Sequence, residues 1–321
     1  MLSAPAVANH LSLIPGVTVR IDTPLSPHTR FGIGGPARAY VEIDNQDSFI
    51  EGIRCVRESG SPFVIVGNGT NLIVSDDGYA GVVLRLTRSE LTAEGNLVSA
   101  SAGAVLQDLV DFSIARGLSG IEVMTGIPGS VGGAVYGNAG AYGQSIAQRV
   151  LDVRFFDGVQ VRPLSNPECD FRYRESIFKR QKDWTILSVT LALETGDAGE
   201  LHNKAAGILD LRNRKYPPTM KCAGSIFKNL LLAELPESVK NHLPAKVVIE
   251  GKVPSAYFLE QVGAKGMYDG DIRVADYHAN LIYNQGFGTA AQLCGIIGEL
   301  KRRVQERFGF TLEEEVQYIG F

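Results

Sequence analysis

Cysteine is scarce and scattered. The four in this chain of 321 residues, Cys55, Cys169, Cys222 and Cys294, lie 114, 53 and 72 positions apart. No C-x-x-C pair occurs, which argues against a zinc knot or a disulfide framework. Long apolar runs are also missing, and none approaches the roughly 18 residues a spanning helix needs. No Lys or Arg precedes Arg20, so the charged region of a secretion signal is absent. There is no basic excess: 31 Lys and Arg face 35 Asp and Glu, a formal charge of −4, which argues against a non-specific nucleic-acid binder. The expectation is a soluble, cytoplasmic globular protein without membrane insertion. Its 45% hydrophobic content suffices for a core, and its length suggests two units at roughly 100–200 residues each.

Glycine, by contrast, is abundant, at 36 residues, about 11% against the usual ~7%, and it is clustered. Between the clusters, strands are expected at 38–43, 63–66, 82–86, 97–102, 184–193, 278–284 and 315–319. A hairpin is expected at 150–164 around Asp157-Gly158. Helices are expected at 46–58, 105–116, 201–214, about 254–263 and 289–308. In the last of these, Leu293, Ile296, Ile297, Leu300 and Val304 form one stripe. Tyr216-Pro217-Pro218 stops the helix before it. Strands and helices are mixed throughout, so the class is α+β or α/β. The run ETGDAGE (194–200) breaks the pattern and marks the main domain boundary near 195–199.

Three glycine constellations stand out. Gly32-Ile33-Gly34-Gly35-Pro36-Ala37 matches G-x-G-x-x-A formally, but a strand-like run follows it instead of a helix, so a plain turn is the better reading. Gly67-Asn68-Gly69-Thr70-Asn71-Leu72 follows a strand directly. Glycines at positive φ let successive N–H groups converge on phosphate oxygens, although a tight strand-to-strand turn uses the same residues. No G-K-[ST] is present there, so it is not a Walker loop. The third stretch holds seven glycines within 126–143, interleaved with Ile, Val, Ala and Tyr. A disordered linker would be polar, so this backbone is expected to pack closely against something large and flat. Two such loops point to a cofactor carrying a pyrophosphate.

Six segments then occur in order: HTRFGIGG (28–35), GNGTNLIVSD (67–76), GIPGSVGGAVYGNAGAYG (126–143), YRESIFK (173–179), AGSIFKN (223–229) and EEEVQYIG (313–320). Together they resemble the UDP-N-acetylenolpyruvoylglucosamine reductase (MurB) family from about residue 18 onward. No separate Tyr-bearing insertion lies between Arg174 and Ser225, as in the type II branch. The resemblance implies an α+β fold with an FAD-binding region of the vanillyl-alcohol-oxidase (PCMH) type over 1–195, in two α+β subdomains of about 1–75 and 76–195. It implies a C-terminal α+β substrate-binding domain over 196–321, whose last strand returns to the flavin and brings Glu315 close to Arg174. It also implies non-covalent FAD, NADPH as co-substrate, a UDP-sugar substrate and a monomer. The implied reaction passes hydride from NADPH to the flavin and then to an enolpyruvyl double bond, in peptidoglycan precursor synthesis.

By the same resemblance, FAD is held by Gly67, Asn68, Gly69, Thr70, Asn71 and Leu72, and by Gly126, Ile127, Pro128, Gly129, Ser130, Gly132, Gly133, Ala134 and Gly140. Arg174, Ser225 and Glu315 are the implied catalytic residues. Arg174 suits a bidentate grip on a carboxylate that gathers charge, but by itself it reads as a surface partner of Glu175. Glu315 needs a raised pKa to donate beside an anion. Strand alternation puts Glu313 on the same face and does not choose between them. Ser225 is the implied proton donor, with a helix N-cap as the alternative. Tyr173, Lys215, Lys228 and Asn229 are implied substrate ligands, with Lys228 alternatively a plain exposed lysine. His278 either lines the same cleft or is structural. Two other readings compete: an oxidase with flavin attached through His or Cys, and a nucleotide-sugar sensor without chemistry.

Overall fold

The computed structural model describes residues 4–321 as two compact units. The first comprises residues 4–23, 37–68 and 80–217; the second comprises 24–36, 69–79 and 218–321.

The first unit contains two sheets. One has the order Val17–Pro24, Pro36–Ile43, Tyr79–Leu86, Phe63–Val66. Its last two strands are parallel, and the helix Gln46–Ser59 supplies Phe49, Ile53 and Val56 to the core beside Val41, Val82 and Leu84. That helix has its expected start signal, since the Asn45 side chain accepts from Ser48 N–H, and it ends at Gly60 in the left-handed conformation. The second sheet is antiparallel, in the order Val161–Ser165, Val150–Phe156, Thr185–Ala192, Leu97–Ser101, Leu91–Glu94. Thr185–Ala192 alternates buried and half-buried positions along its whole length, as a strand with one covered face should. The helices Leu106–Ile114, Val131–Tyr136 and Ala198–Lys215 belong with this second core.

In the second unit, Tyr268–Asp269, Ile272–Ala275 and His278–Asn284 form an antiparallel meander. The helix Ala290–Phe308 buries the expected stripe of Leu293, Ile296, Ile297, Leu300 and Val304. Each fully buried Leu or Ile contributes about 1.5–3 kcal/mol. The helix opens on a capping box of Thr289 and Gln292, and the Asp76 carboxylate also accepts from Ala290 N–H (2.8 Å) and Ala291 N–H (3.0 Å). The strand Gln317–Ile319 pairs in parallel with Leu72–Val74.

Two expected boundaries fall elsewhere. The subdomain division at 75/76 does not hold, because Tyr79–Leu86 is an inner strand of the first sheet; the sheets change between Leu86 and Leu91. The domain boundary at 195/196 moves to 217/218, because the helix Ala198–Lys215 buries Leu201 and Ala205 in the first unit's core.

That helix is also tied by charge. Glu122 is only 4% exposed, and its carboxylate accepts from Lys204 Nζ (2.7 Å) and Gly120 N–H (2.6 Å). Burial pushes the carboxyl up, but the hydrogen bonds from Lys204 and Gly120 outweigh it and hold the group below the ordinary glutamate range. A depressed carboxyl pKa stabilises the fold above the unfolded value and stops doing so as pH falls through the folded one. Lys204→Met is expected to cost about 1–2 kcal/mol at neutral pH, a figure reduced because Lys204 is half exposed. The difference from wild type should shrink near pH 4, where the stranded carboxyl takes up a proton. Urea unfolding at the two pH values checks this, and an equal gap at both would refute the assignment.

Candidate functional site

The loop after Phe63–Val66 and the glycine-rich stretch meet within the first unit. A Cβ built on Gly67 would lie 2.4 Å from Ser130 Oγ, so a side chain at position 67 would collide with the Ser130 hydroxyl. Ser130 is buried and caps Val131–Tyr136 by accepting from Gly133 N–H. Asn68 Oδ1 accepts from Arg85 (3.0 Å), which is itself paired with Glu42 (3.1 Å).

The donors divide unevenly between the two loops. Among the described residues, the N–H groups of Gly67, Asn68, Gly69, Gly129 and Ser130 enter no backbone hydrogen bond. Those of Gly132, Gly133 and Ala134 donate to Ala102 C=O, Ser130 Oγ and Ser130 C=O, so the expectation that this whole stretch offers N–H groups to a phosphate is corrected at those three positions. Their contribution is small size: a Cβ at Gly132 would sit 2.9 Å from the Ala102 Cβ. Gly133 differs again, because it is exposed and a Cβ there meets only Ser130 Oγ, at 3.3 Å. Gly126 N–H donates to Gln107 and Ile127 N–H to Met124 C=O, while Gly140 C=O accepts from Arg174 Nη2 (3.1 Å). Within the first unit, Gly67 and Asn68 on one side of the contact between Gly67 and Ser130, and Gly129 and Ser130 on the other, offer four unspent donors, which fits a pyrophosphate.

Arg174 sits at the tip of a tight turn in the first unit. Arg172 and Glu175 exchange both backbone hydrogen bonds, leaving Tyr173 and Arg174 between them. Arg174 has φ +58°, the left-handed region that an arginine enters at a cost of about 1–3 kcal/mol. Its guanidinium lies 5.3 Å from the Tyr173 ring centre. Two buried side chains hold the turn down: Asn138 Nδ2 donates to Arg172 C=O (2.8 Å), and Ser176 Oγ donates to Tyr136 C=O (2.7 Å). Glu175, the partner suggested by adjacency, is bound by Lys179 Nζ at 3.3 Å. Tyr136 packs on the second core, whereas Tyr142 is 56% exposed. Lys215 is the last residue of the helix Ala198–Lys215 and lies 5.1 Å from the Tyr216 ring centre.

The second unit brings Ser225, Lys228, Asn71 and Glu315 together. Residues 225–228 run between two other segments. Ser225 bridges Leu281 on one side, and Phe227 bridges Glu314 on the other. Glu315 N–H donates to Ile226 C=O (2.7 Å), and Lys228 N–H donates to Glu313 C=O (2.9 Å). Ser225 is therefore in extended backbone and caps no helix. Asn71, expected to face the cofactor, instead spends its side-chain N–H on Glu315 C=O (2.9 Å), while Gln317 N–H donates to Asn71 C=O. In the acidic run, Glu313 binds Lys228 Nζ, and both Glu314 oxygens bind Lys301 Nζ. Lys228 is 9% exposed, so it is no plain surface lysine. His278 opens the strand His278–Asn284. Sequence reasoning missed Asn138, Asn280 and Glu122; lone Asn and Glu residues carry no spacing signal.

Comparison with known proteins identifies the family. A model of the FAD binding domain matches residues 37–159, and one of the UDP-N-acetylenolpyruvoylglucosamine reductase C-terminal domain matches 216–319. The chain is similar to the UDP-N-acetylenolpyruvoylglucosamine reductase of Solibacter usitatus, at 60% identity over 97% of this chain and 99% of the relative. It is 32% identical to that of Clostridium perfringens over 94% and 93%. The crystal structure of UDP-N-acetylenolpyruvylglucosamine reductase (MurB) from Thermus caldophilus superposes with a TM-score of 0.72 at 29% identity, covering 94% and 98%.

The free side of Gly133 gives a direct test. Gly133→Val should fold with a native-like melting profile yet lose most of its flavin, read as the ratio of absorbance near 450 nm to protein. Denatured wild type should release its yellow colour into the supernatant. A folded variant with full flavin would remove Gly133 from the contact.

Proposed function

The chain belongs to the UDP-N-acetylenolpyruvoylglucosamine reductase family, and we propose that Arg174, Ser225 and Glu315 carry the chemistry by which it reduces UDP-N-acetylglucosamine enolpyruvate to UDP-N-acetylmuramate in peptidoglycan precursor synthesis. The enzyme is an FAD-dependent oxidoreductase with NADPH as reductant, and its FAD region is of the PCMH type. Gly67, Asn68, Gly129 and Ser130 would hold the pyrophosphate of FAD, and the bound flavin would supply the hydride chemistry that links NADPH to the enolpyruvyl double bond.

Hydride addition at the terminal carbon pushes charge into the substrate carboxylate, so the transition state needs fixed donors there. Arg174 supplies a planar fork with charge that does not titrate away. Its strained backbone supports the assignment, because such strain persists where surrounding structure over-determines it. Glu315, protonated, is a second donor to the same charge. Ser225 gives its hydroxyl proton to the adjacent carbon. The observation carrying this reading is the hydrogen bond from Glu315 N–H to Ile226 C=O, which fixes a hydroxyl-bearing and a carboxyl-bearing residue on neighbouring segments. Lys215 serves the diphosphate as a point charge; Tyr173, Lys228 and Asn229 complete the substrate contacts. A cytoplasmic monomer is part of the same proposal, in keeping with a UDP-sugar and NADPH as its substrates. No helix of the described residues is long and apolar enough to cross a membrane.

The half-reactions separate these roles. Ser225→Ala should bind FAD and be reduced by NADPH at near-native rates, while reoxidation by the enolpyruvyl substrate falls by roughly 10²–10⁴-fold. Arg174→Lys should also lose reoxidation selectively, by about 100-fold, because lysine keeps the charge but not the fork. Stopped-flow flavin absorbance reads both. Reoxidation at the native rate in Ser225→Ala would end the proton-donor role. Arg174→Gly should be inactive yet melt no lower than wild type, since glycine accepts φ +58° without strain.

A further inference from the structure

We propose that Asn280 is a positioning residue that sets the placement of Ser225 and Glu315 for proton delivery; the inference rests on the roles given to those two residues above. Asn280 is 2% exposed and lies in the strand His278–Asn284. Its side chain faces residues 225–228. Oδ1 accepts from Phe227 N–H (2.9 Å), and Nδ2 donates to Phe227 C=O (2.8 Å) and to Ser255 Oγ (2.7 Å). Its backbone C=O accepts from Ile226 N–H (3.1 Å). Ser255 is fully buried, and its hydroxyl also reaches Phe227 C=O at 3.4 Å.

The chemistry of this arrangement is specific. A side-chain amide carries the same donor and acceptor as a peptide group. Residues 225–228 form no regular strand against 278–284; the pairing is one isolated bridge, Ser225 with Leu281. Without the Asn280 side chain the Phe227 N–H would be buried unpaired, at about 1–3 kcal/mol, and the Phe227 C=O would keep only the longer Ser255 contact. The Asn280 amide takes the place of the missing strand neighbour and satisfies both. Ile226 is consequently held from two sides, its N–H by Asn280 C=O and its C=O by Glu315 N–H. Ser225 precedes the clamped residue, and Glu315 is bonded to it. Displacing the segment moves both reactive groups, and a shift of about 1 Å in such a constellation costs on the order of 100-fold in rate.

Asn280→Asp is the isosteric test. Ionised, the new carboxylate has no donor for Phe227 C=O or Ser255; protonated, it recovers one. Flavin content and reduction by NADPH should stay near native. Reoxidation by the enolpyruvyl substrate should fall roughly 10–100-fold at neutral pH, recover in part as pH is lowered, and show a larger solvent deuterium isotope effect than wild type. A readout independent of turnover is amide hydrogen exchange: Asn280→Ala should speed deuterium uptake in peptides covering 225–228 and 313–315 but not in 185–192. Native-rate reoxidation in Asn280→Asp, beside a slow Ser225→Ala, would overturn the positioning role alone. Native-rate reoxidation in Ser225→Ala would overturn the reading beneath it. Should neither Asn280 variant fold, Ser255→Ala decides: a raised isotope effect supports the proposal, and an unchanged one refutes it.

Discussion

The parallel pairing of Gln317–Ile319 with Leu72–Val74 governs the rest of the second unit. It sets Asn71 against Glu315, Glu315 against Ile226, and Phe227 against Asn280. Each link is a backbone or amide hydrogen bond with one register. A slip of one residue would turn Glu315 to the opposite face. Ser225 and Glu315 thus owe their placement to segments drawn from four separate stretches of sequence.

The first unit fixes its part by other means. Its loops approach through absent side chains, as at Gly67 against Ser130, and its strained turn at Arg174 is held by buried polar anchors. A glycine contact tolerates no larger residue, and a buried amide tolerates no loss of its partner. Both devices hold their segments in place before any ligand is bound. That is preorganisation in its plainest form.

Periodicity made the long elements legible. The helix over 290–308 and the strand 278–284 were readable because their buried faces repeat over many residues. The six ordered motifs made the chemistry legible. What escaped was pairing between distant segments. Nothing in Gly69–Tyr79 announces that it belongs with residues 218–321, because a three-residue strand has no period to read. The break at ETGDAGE was real, since Asp197 caps the next helix, but a cap says where a helix starts and not which core it enters. The alternative of a helix cap at Ser225 arose for a similar reason: a serine after glycine is a local signal, whereas its bridge to Leu281 joins distant segments.

The discontinuity of the second unit sets an order on synthesis. Residues through Pro217 leave the ribosome first, and at ~5–20 residues per second the remainder follows over roughly 5–20 s. Throughout that interval Ile73 and Val74, both buried in the finished protein, belong to a strand whose partner has not been made. An apolar strand with an open edge invites foreign pairing. The nascent chain is therefore exposed for a time fixed by translation speed and not by its own folding rate, and it would gain from a chaperone that covers residues 69–79 until the last strand arrives.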